Sequence, residues 1–173
     1  MTSTQTPRDT ALAGIVDATA EAVSQDVGNA QALFRATGDA GAGVRSHIRI
    51  GNHEVLVDEP PALGGDDAAP NPVEFALASL LSCQVVTYRF YAAKLGIPVE
   101  DVHVDVEGDL DVRGFFGIDD EVRPGFGEVR LVVDLRGPAS PEEYQRLRET
   151  VDAHCPVLDL FRNATPVTTG APA

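Results

Sequence analysis

Two cysteines are the residues of this chain best suited to chemistry. Cys83 ends the run Asn71-Pro72-Val73-Glu74-Phe75-Ala76-Leu77-Ala78-Ser79-Leu80-Leu81-Ser82-Cys83, and Cys155 stands in His154-Cys155-Pro156-Val157. A thiolate is nucleophilic and readily oxidised, whereas a buried thiol behaves as a small inert hydrophobe. Two cysteines in 173 residues are too few for a disulfide scaffold, and no Cys-x-x-Cys spacing occurs, so both are either redox-active or part of the core. His47, His53, His103 and His154 are scattered over three presumed strands and one helix end. A zinc site would need those unrelated segments to converge, so neither a metal site nor a bound cofactor is expected.

Each cysteine needs an element to hold it. Asn71 reads as an N-cap, Pro72 as the first helical residue, and Glu74 as the carboxylate that reaches back to an orphan backbone N–H. Apolar residues then cover nearly the whole circumference from Phe75 to Val86, which marks a helix buried on most sides and puts Cys83 in a core or interface. A second helix opens with Ser140-Pro141-Glu142-Glu143, a capping box with proline at the first position. Its apolar stripe Tyr144, Leu147, Val151, Cys155 turns Cys155 inward, and Pro156 disfavours helical geometry for the residue before it, so Cys155 sits at a break.

The remaining elements frame these two. Thr6, Pro7 and Asp9 start an N-terminal helix with Leu12, Ile15, Val16, Thr19, Val23 and Val27 at helical spacing, stopped by Gly28-Asn29. Alternation in Val44–Ile50, Val55–Val57, Val102–Val106 and Val129–Leu135 predicts antiparallel strands, with turns at Gly38-Asp39-Ala40-Gly41 and Gly51-Asn52. Residues 59–70 read as a loop too polar and broken to pack. The connection from Gly114 to Gly127 carries Phe115, Phe116 and Phe126, which line an apolar pocket or seal the core, with sealing preferred. An extended segment from Thr165 to Thr169 completes the set.

Charge narrows the function. The chain has 27 acidic against 13 basic residues, a formal charge of -14, and Lys94 is its only lysine, so no basic stripe exists to neutralise phosphates. Nucleic acid and anionic membranes are therefore not expected partners. The stretch from Phe75 to Ala93 is interrupted by Ser79, Ser82, Gln84, Thr87 and Arg89, and no apolar signal core stands at the N-terminus, so a cytoplasmic location is expected.

Asn71-Pro72 twelve residues before Cys83, together with His154-Cys155-Pro156-Val157, resembles the OsmC/Ohr family, and the order of elements follows that pattern from roughly Ala32 to Gly170. The resemblance implies an α+β OsmC-like fold, antiparallel sheets around long central helices in an intertwined homodimer, with residues 1–31 a helical extension and 32–173 the domain. It also implies a thiol peroxidase. Cys83 would attack an organic hydroperoxide to give a sulfenic acid, Cys155 would resolve it as a disulfide, and an external dithiol, lipoyl-type in the family, would reduce the pair. The alternative is a non-peroxidase relative that binds a small hydrophobic ligand at the dimer interface.

A free cysteine ionises near pH 8.5 and burial raises that value, so Cys83 would need a neighbouring cation. The family's peroxidases resemble one another in placing an arginine in an N-terminal glycine-containing turn and a glutamate directly after the Asn-Pro pair. This chain has Ala40–Gly43 and Val73 at those positions. Arg35 and Arg45 are the nearest substitutes for the arginine. Glu74 lies nine residues before Cys83, on the opposite helix face at 100° per residue, and reads as a cap unless a partner chain brings its copy across. Arg89, six residues after Cys83, also lies on the far side.

Overall fold

Side-chain caps followed by proline start the three long helices. A computed structural model describes residues 6–171, and the outer ends of the expected extension and domain, residues 1–5 and 172–173, lie outside the described residues. Helix α1 (Pro7–Gln25) begins where the Thr6 hydroxyl accepts the Asp9 N–H at 3.2 Å and the Asp9 carboxylate accepts the Thr6 N–H at 3.1 Å. Val27, expected in the helix, falls instead in a 3-10 turn, Val27–Ala30, because the Asp26 carboxylate captures the Gly28 N–H at 2.8 Å and restarts the chain there.

The chain packs as two compact units. One is Asp17–Ala78; the other joins the described residues up to Val16 with those from Ser79 onward. The first holds β1 (Ala36–Ala40), β2 (Ser46–Ile50) and β3 (His53–Val57), a three-stranded antiparallel sheet in chain order. Gly51 and Asn52 form the expected two-residue turn between β2 and β3, with Gly51 at φ 58°. The turn expected at Gly38–Gly41 moves onward. Gly38 pairs with Ile48 and Ala40 with Ser46, so the ladder runs through that segment, and the chain reverses at Ala42–Arg45.

The segment read as too broken to pack is ordered around one buried carboxylate. Asp58, 2 % exposed, accepts the backbone N–H groups of Asp66 at 3.2 Å and Ala68 at 3.1 Å and the Arg45 guanidinium at 3.2 Å. The Ala68 N–H, aided by the other donors, holds the Asp58 carboxyl down at about 2 against an opposing effect of burial. Gly65 sits so close to the Glu59 backbone that a Cβ would collide with the Glu59 carbonyl. Charge and close approach, not apolar residues, fold this loop.

The second unit holds most of α2 (Pro72–Leu95), then β4 (Asp101–Leu110), the short helix α3 (Val112–Phe115), β5 (Phe126–Arg136), α4 (Pro141–His154) and α5 (Pro156–Arg162). β4 and β5 form a long antiparallel ribbon with a bulge at Asp109/Leu110. Within the chain α2 buries only Leu80, Gln84, Thr87, Tyr88, Ala92 and Ala93, while Val73 and Val86 stay exposed. The all-round burial expected of this helix is therefore not reached, since one chain offers it one packing face. Leu80, Tyr88 and Ala92 of that face meet Leu135 of β5 and Tyr144, Leu147, Val151 and Cys155 of the α4 stripe in a single core.

Two aromatic expectations and one terminal expectation change. Phe115 and Phe116 are exposed and pack edge-to-face on each other, centroids 4.9 Å apart, rather than sealing the core. Phe126 is half-buried and stacks on Phe161 at 6.5 Å. No strand forms at Thr165–Thr169; the chain instead makes α5 straight after Cys155, and the exposed segment beyond Asn163 finds no strand to pair with. Long helices beside antiparallel sheets give the expected α+β class. No helix among the described residues is long and apolar enough to cross a membrane.

Candidate functional site

The site begins with two helix ends. The Ser140 hydroxyl accepts the Glu143 N–H at 3.2 Å and Glu143 accepts the Ser140 N–H at 2.8 Å, which fixes the phase of α4 and brings its last inward position to Cys155. Cys155 has extended backbone, φ -77° and ψ 112°, as the residue before a proline requires. It is at once the C-cap of α4 and the N-cap of α5, and it is 2 % exposed. α2 carries Cys83 into the same core, where it is half-buried.

The structure brings the two sulfurs together, 72 residues apart in sequence, and both are free thiols. Burial pushes the Cys83 thiol up from its ordinary value. The Val157 N–H, at the first turn of α5, pulls it down by hydrogen bonding to the sulfur, and the neighbouring Cys155 thiol pushes it up again. Thr87 lies one turn on, its Oγ1 4.0 Å from the Cys83 sulfur, but its one proton goes to the Cys83 carbonyl at 2.7 Å. The groups acting most on Cys83 are thus an amide, one thiol and a hydroxyl, and none is a cation.

The other expected site residues are used elsewhere. Arg45 is tied within its own unit to Asp58 at 3.2 Å and Asp66 at 2.9 Å, holding the loop after β3. Arg35 is exposed. Glu74 accepts the Asn71 N–H at 2.8 Å while Asn71 accepts the Glu74 N–H at 2.9 Å, a reciprocal cap on α2. Arg89 donates to the Val99 carbonyl at 2.9 Å. Among the described residues no group of three or more His, Cys, Asp or Glu side chains is placed to hold a metal ion.

Three features escaped the sequence. The Val157 donor depends on α5, which Pro156 hid by reading as a stop, although proline suits a first helical position equally well. Thr87 is four residues from Cys83, a spacing that could have signalled it. The third is a cavity of about 830 Å³ walled by Leu80 and Tyr88 of α2, Val129 and Leu131 of β5, and Leu158 and Phe161 of α5, with Arg148 and Asp152 among its polar residues. Burial first, then the charge of Asp152, pushes the Tyr88 phenol up to about 12.

Solved structures repeat this architecture. An OsmC-like protein of Mycoplasma pneumoniae, 16% identical, matches with a TM-score of 0.66 over 76% of this chain and 89% of its own. An organic hydroperoxide resistance protein of Elizabethkingia anophelis, 25% identical, gives 0.60 over 76% and 89%. One of Legionella pneumophila, 23% identical, gives 0.59 over 76% and 90%. No curated protein sequence matches the chain. The sequence profile described as OsmC-like protein matches residues 64–170, a stretch that contains both cysteines and every element of the thiol site. The chain belongs to the OsmC-like protein family.

Proposed function

We propose that this chain is a thiol-dependent reductase of organic hydroperoxides, working as a homodimer. The observation that carries the reading is the pairing of the Cys83 and Cys155 thiols under the Val157 N–H. The Cys83 thiolate attacks the terminal peroxide oxygen; an S–O bond forms, the O–O bond breaks, and the alkoxide takes a proton to become the alcohol. Cys155 then attacks the sulfenic sulfur, an S–S bond forms and water leaves. An external dithiol, lipoyl-type by resemblance to the family, returns the pair to thiols by exchange. The Elizabethkingia relative is an organic hydroperoxide resistance protein, which supports the same reading. The exposed Val73 and Val86 on an otherwise apolar α2 support a second copy as its cover.

One observation favours a second reading. Cys83 is pushed toward the thiol, and the arginine nearest to a catalytic substitute is tied to Asp58 and Asp66. A protein with such a thiol would bind a small hydrophobic ligand rather than turn over peroxide, and the cavity offers Leu80, Tyr88, Leu158 and Phe161 for that, among charged residues such as Arg148 and Asp152. Consumption of cumene hydroperoxide with dihydrolipoamide separates the two, run beside Cys83→Ser and Cys155→Ser at equal concentration. Turnover abolished by Cys83→Ser, with a Cys83–Cys155 disulfide trapped by mass spectrometry, is the expected result. Turnover no faster than the serine variants would sink the peroxidase and leave the ligand-binding reading.

A further inference from the structure

Thr87 lies one turn beyond Cys83 on α2 and is 7 % exposed. Its hydroxyl donates to the Cys83 carbonyl at 2.7 Å, and its Oγ1 stands 4.0 Å from the Cys83 sulfur. Back-bonding of this kind satisfies a threonine in many helices. Here the carbonyl belongs to the residue that carries the sulfur, so one rotatable hydroxyl lies between two acceptors of Cys83. While the carbonyl holds the only hydroxyl proton, the sulfur can enter that contact only as the S–H donor.

We infer that the Thr87 hydroxyl follows the charge on Cys83, accepting from the thiol and turning its own proton onto the thiolate. An ionised acceptor outcompetes a neutral carbonyl, since charge-assisted hydrogen bonds are about twice as strong. The carbonyl loses little by the exchange, because the helix already gives it the Thr87 backbone N–H. Turning needs only rotation about Cβ–Oγ1, and the 4.0 Å contact, long even for sulfur, shortens as charge forms.

Burial pushes the Cys83 thiol up; the Val157 N–H of α5 opposes that push, the Cys155 thiol adds to it, and the Thr87 hydroxyl opposes it. None of these groups is a cation, and Arg45, the expected one, is held by Asp58 and Asp66. The Val157 amide can only donate, whatever the state of the sulfur, and the Cys155 thiol is itself consumed in the resolving step. Thr87 alone among them can accept from one state and donate to the other without entering the sulfur chemistry. Its contribution to peroxide reduction rests on the function proposed above; its hold on the sulfur does not.

The test follows alkylation of Cys83 by iodoacetamide across pH in the full chain, with Cys155 intact and the Cys83 peptide quantified by mass spectrometry. Alkylation passes the S–H proton to buffer, forms an S–C bond and releases iodide, so no peroxide is needed. Thr87→Val keeps the branched shape and removes the hydroxyl, and it should raise the midpoint of the profile by about one pH unit, the effect of one lost charge-assisted bond. A more basic thiolate is also the better nucleophile, so the plateau at high pH should rise about threefold while the rate at neutral pH falls about threefold. Thr87→Ser, which restores the hydroxyl, should return both to those of the Thr87 protein. Mere loosening of α2 would instead lower the midpoint and raise the rate at every pH. A midpoint unchanged or lowered by Thr87→Val, or raised alike by Thr87→Ser, overturns the inference whatever the peroxide assay returns. A Thr87-dependent midpoint in a protein that leaves cumene hydroperoxide unconsumed supports the hydroxyl and sinks the peroxidase alone.

Discussion

Replacing Leu147 by alanine asks whether the packing of α4 is what keeps Cys155 from reagents. Leu147 is fully buried, between Tyr144 and Val151 on the stripe that ends at Cys155. Removing its side chain beyond Cβ from a closed core costs about 3 kcal/mol, the lost transfer energy plus the cavity left behind. At about 1.4 kcal/mol per tenfold, states in which α4 has undocked become roughly 100-fold more populated. In a protein of this size the same loss lowers Tm by roughly 6–12 °C. The assay is labelling with a neutral disulfide reagent, because an anionic one would be repelled by a chain of formal charge -14 and a cationic one drawn to it. It is run in a Cys83→Ser background so that the signal is Cys155 alone. Slow labelling is expected before the change, and labelling about 100-fold faster after it, in step with the denaturant midpoint. A Cys155 that reacts at the rate of a free thiol from the start would refute the reasoning. So would a labelling rate unmoved by Leu147→Ala while stability falls as calculated, since Cys155 would then be reached by local motion at the α4–α5 break.

Acid should release the loop after β3. The Asp58 carboxyl is held at about 2, so its contribution is complete above the ordinary carboxyl value near 3.8 and is lost as pH falls toward 2. Asp58→Asn should remove that part of the acid transition, read by denaturation between pH 5 and 2, and an identical acid transition in the variant would count against the buried anchor. For Cys83 burial shifts ionisation upward, so alkylation should reach half its maximal rate at a higher pH than for a free cysteine, and the thiol's contribution to stability should be lost as pH rises through that raised value. A midpoint below 8 would mean that a group from outside the chain activates the thiol. Gly65→Ala should lower Tm by several degrees, because the added carbon meets the Glu59 backbone rather than a movable side chain; an unchanged Tm would show the loop yielding instead.

What the sequence revealed and what it hid divide by the range of the forces involved. The starts of α1, α2 and α4 were legible because caps and prolines act within four residues, and Glu74 read correctly as a cap for the same reason. The inward turn of Cys155 was legible from the stripe Tyr144, Leu147, Val151. The partnership of Cys83 with Cys155 was expected by resemblance alone, since no local rule links residues 72 apart. Asp58 merely follows the alternating Val55–Val57 in sequence, and only the tertiary structure shows it buried under Arg45, Asp66 and Ala68. That hidden bond also took Arg45 away from the role of spare cation. Gln84 looked like one polar interruption among five in an apolar helix, and its burial was invisible.

The thiol-bearing unit draws on both flanks of an unbroken insert, which imposes an order in time. Asp17–Ala78 has all its own strands as soon as it has been synthesised. The start of α1 does not: Arg8 donates to the Val99 carbonyl, 91 residues later, and at about 5–20 residues per second that acceptor arrives roughly 5–18 s after the donor. Cys83 waits a comparable interval for Cys155. During synthesis the chain therefore passes through a stage in which a single thiol stands on a long apolar helix with no second sulfur yet made. In that interval an oxidant or another chain's cysteine meets Cys83 alone, and only completion of α4 supplies the second thiol.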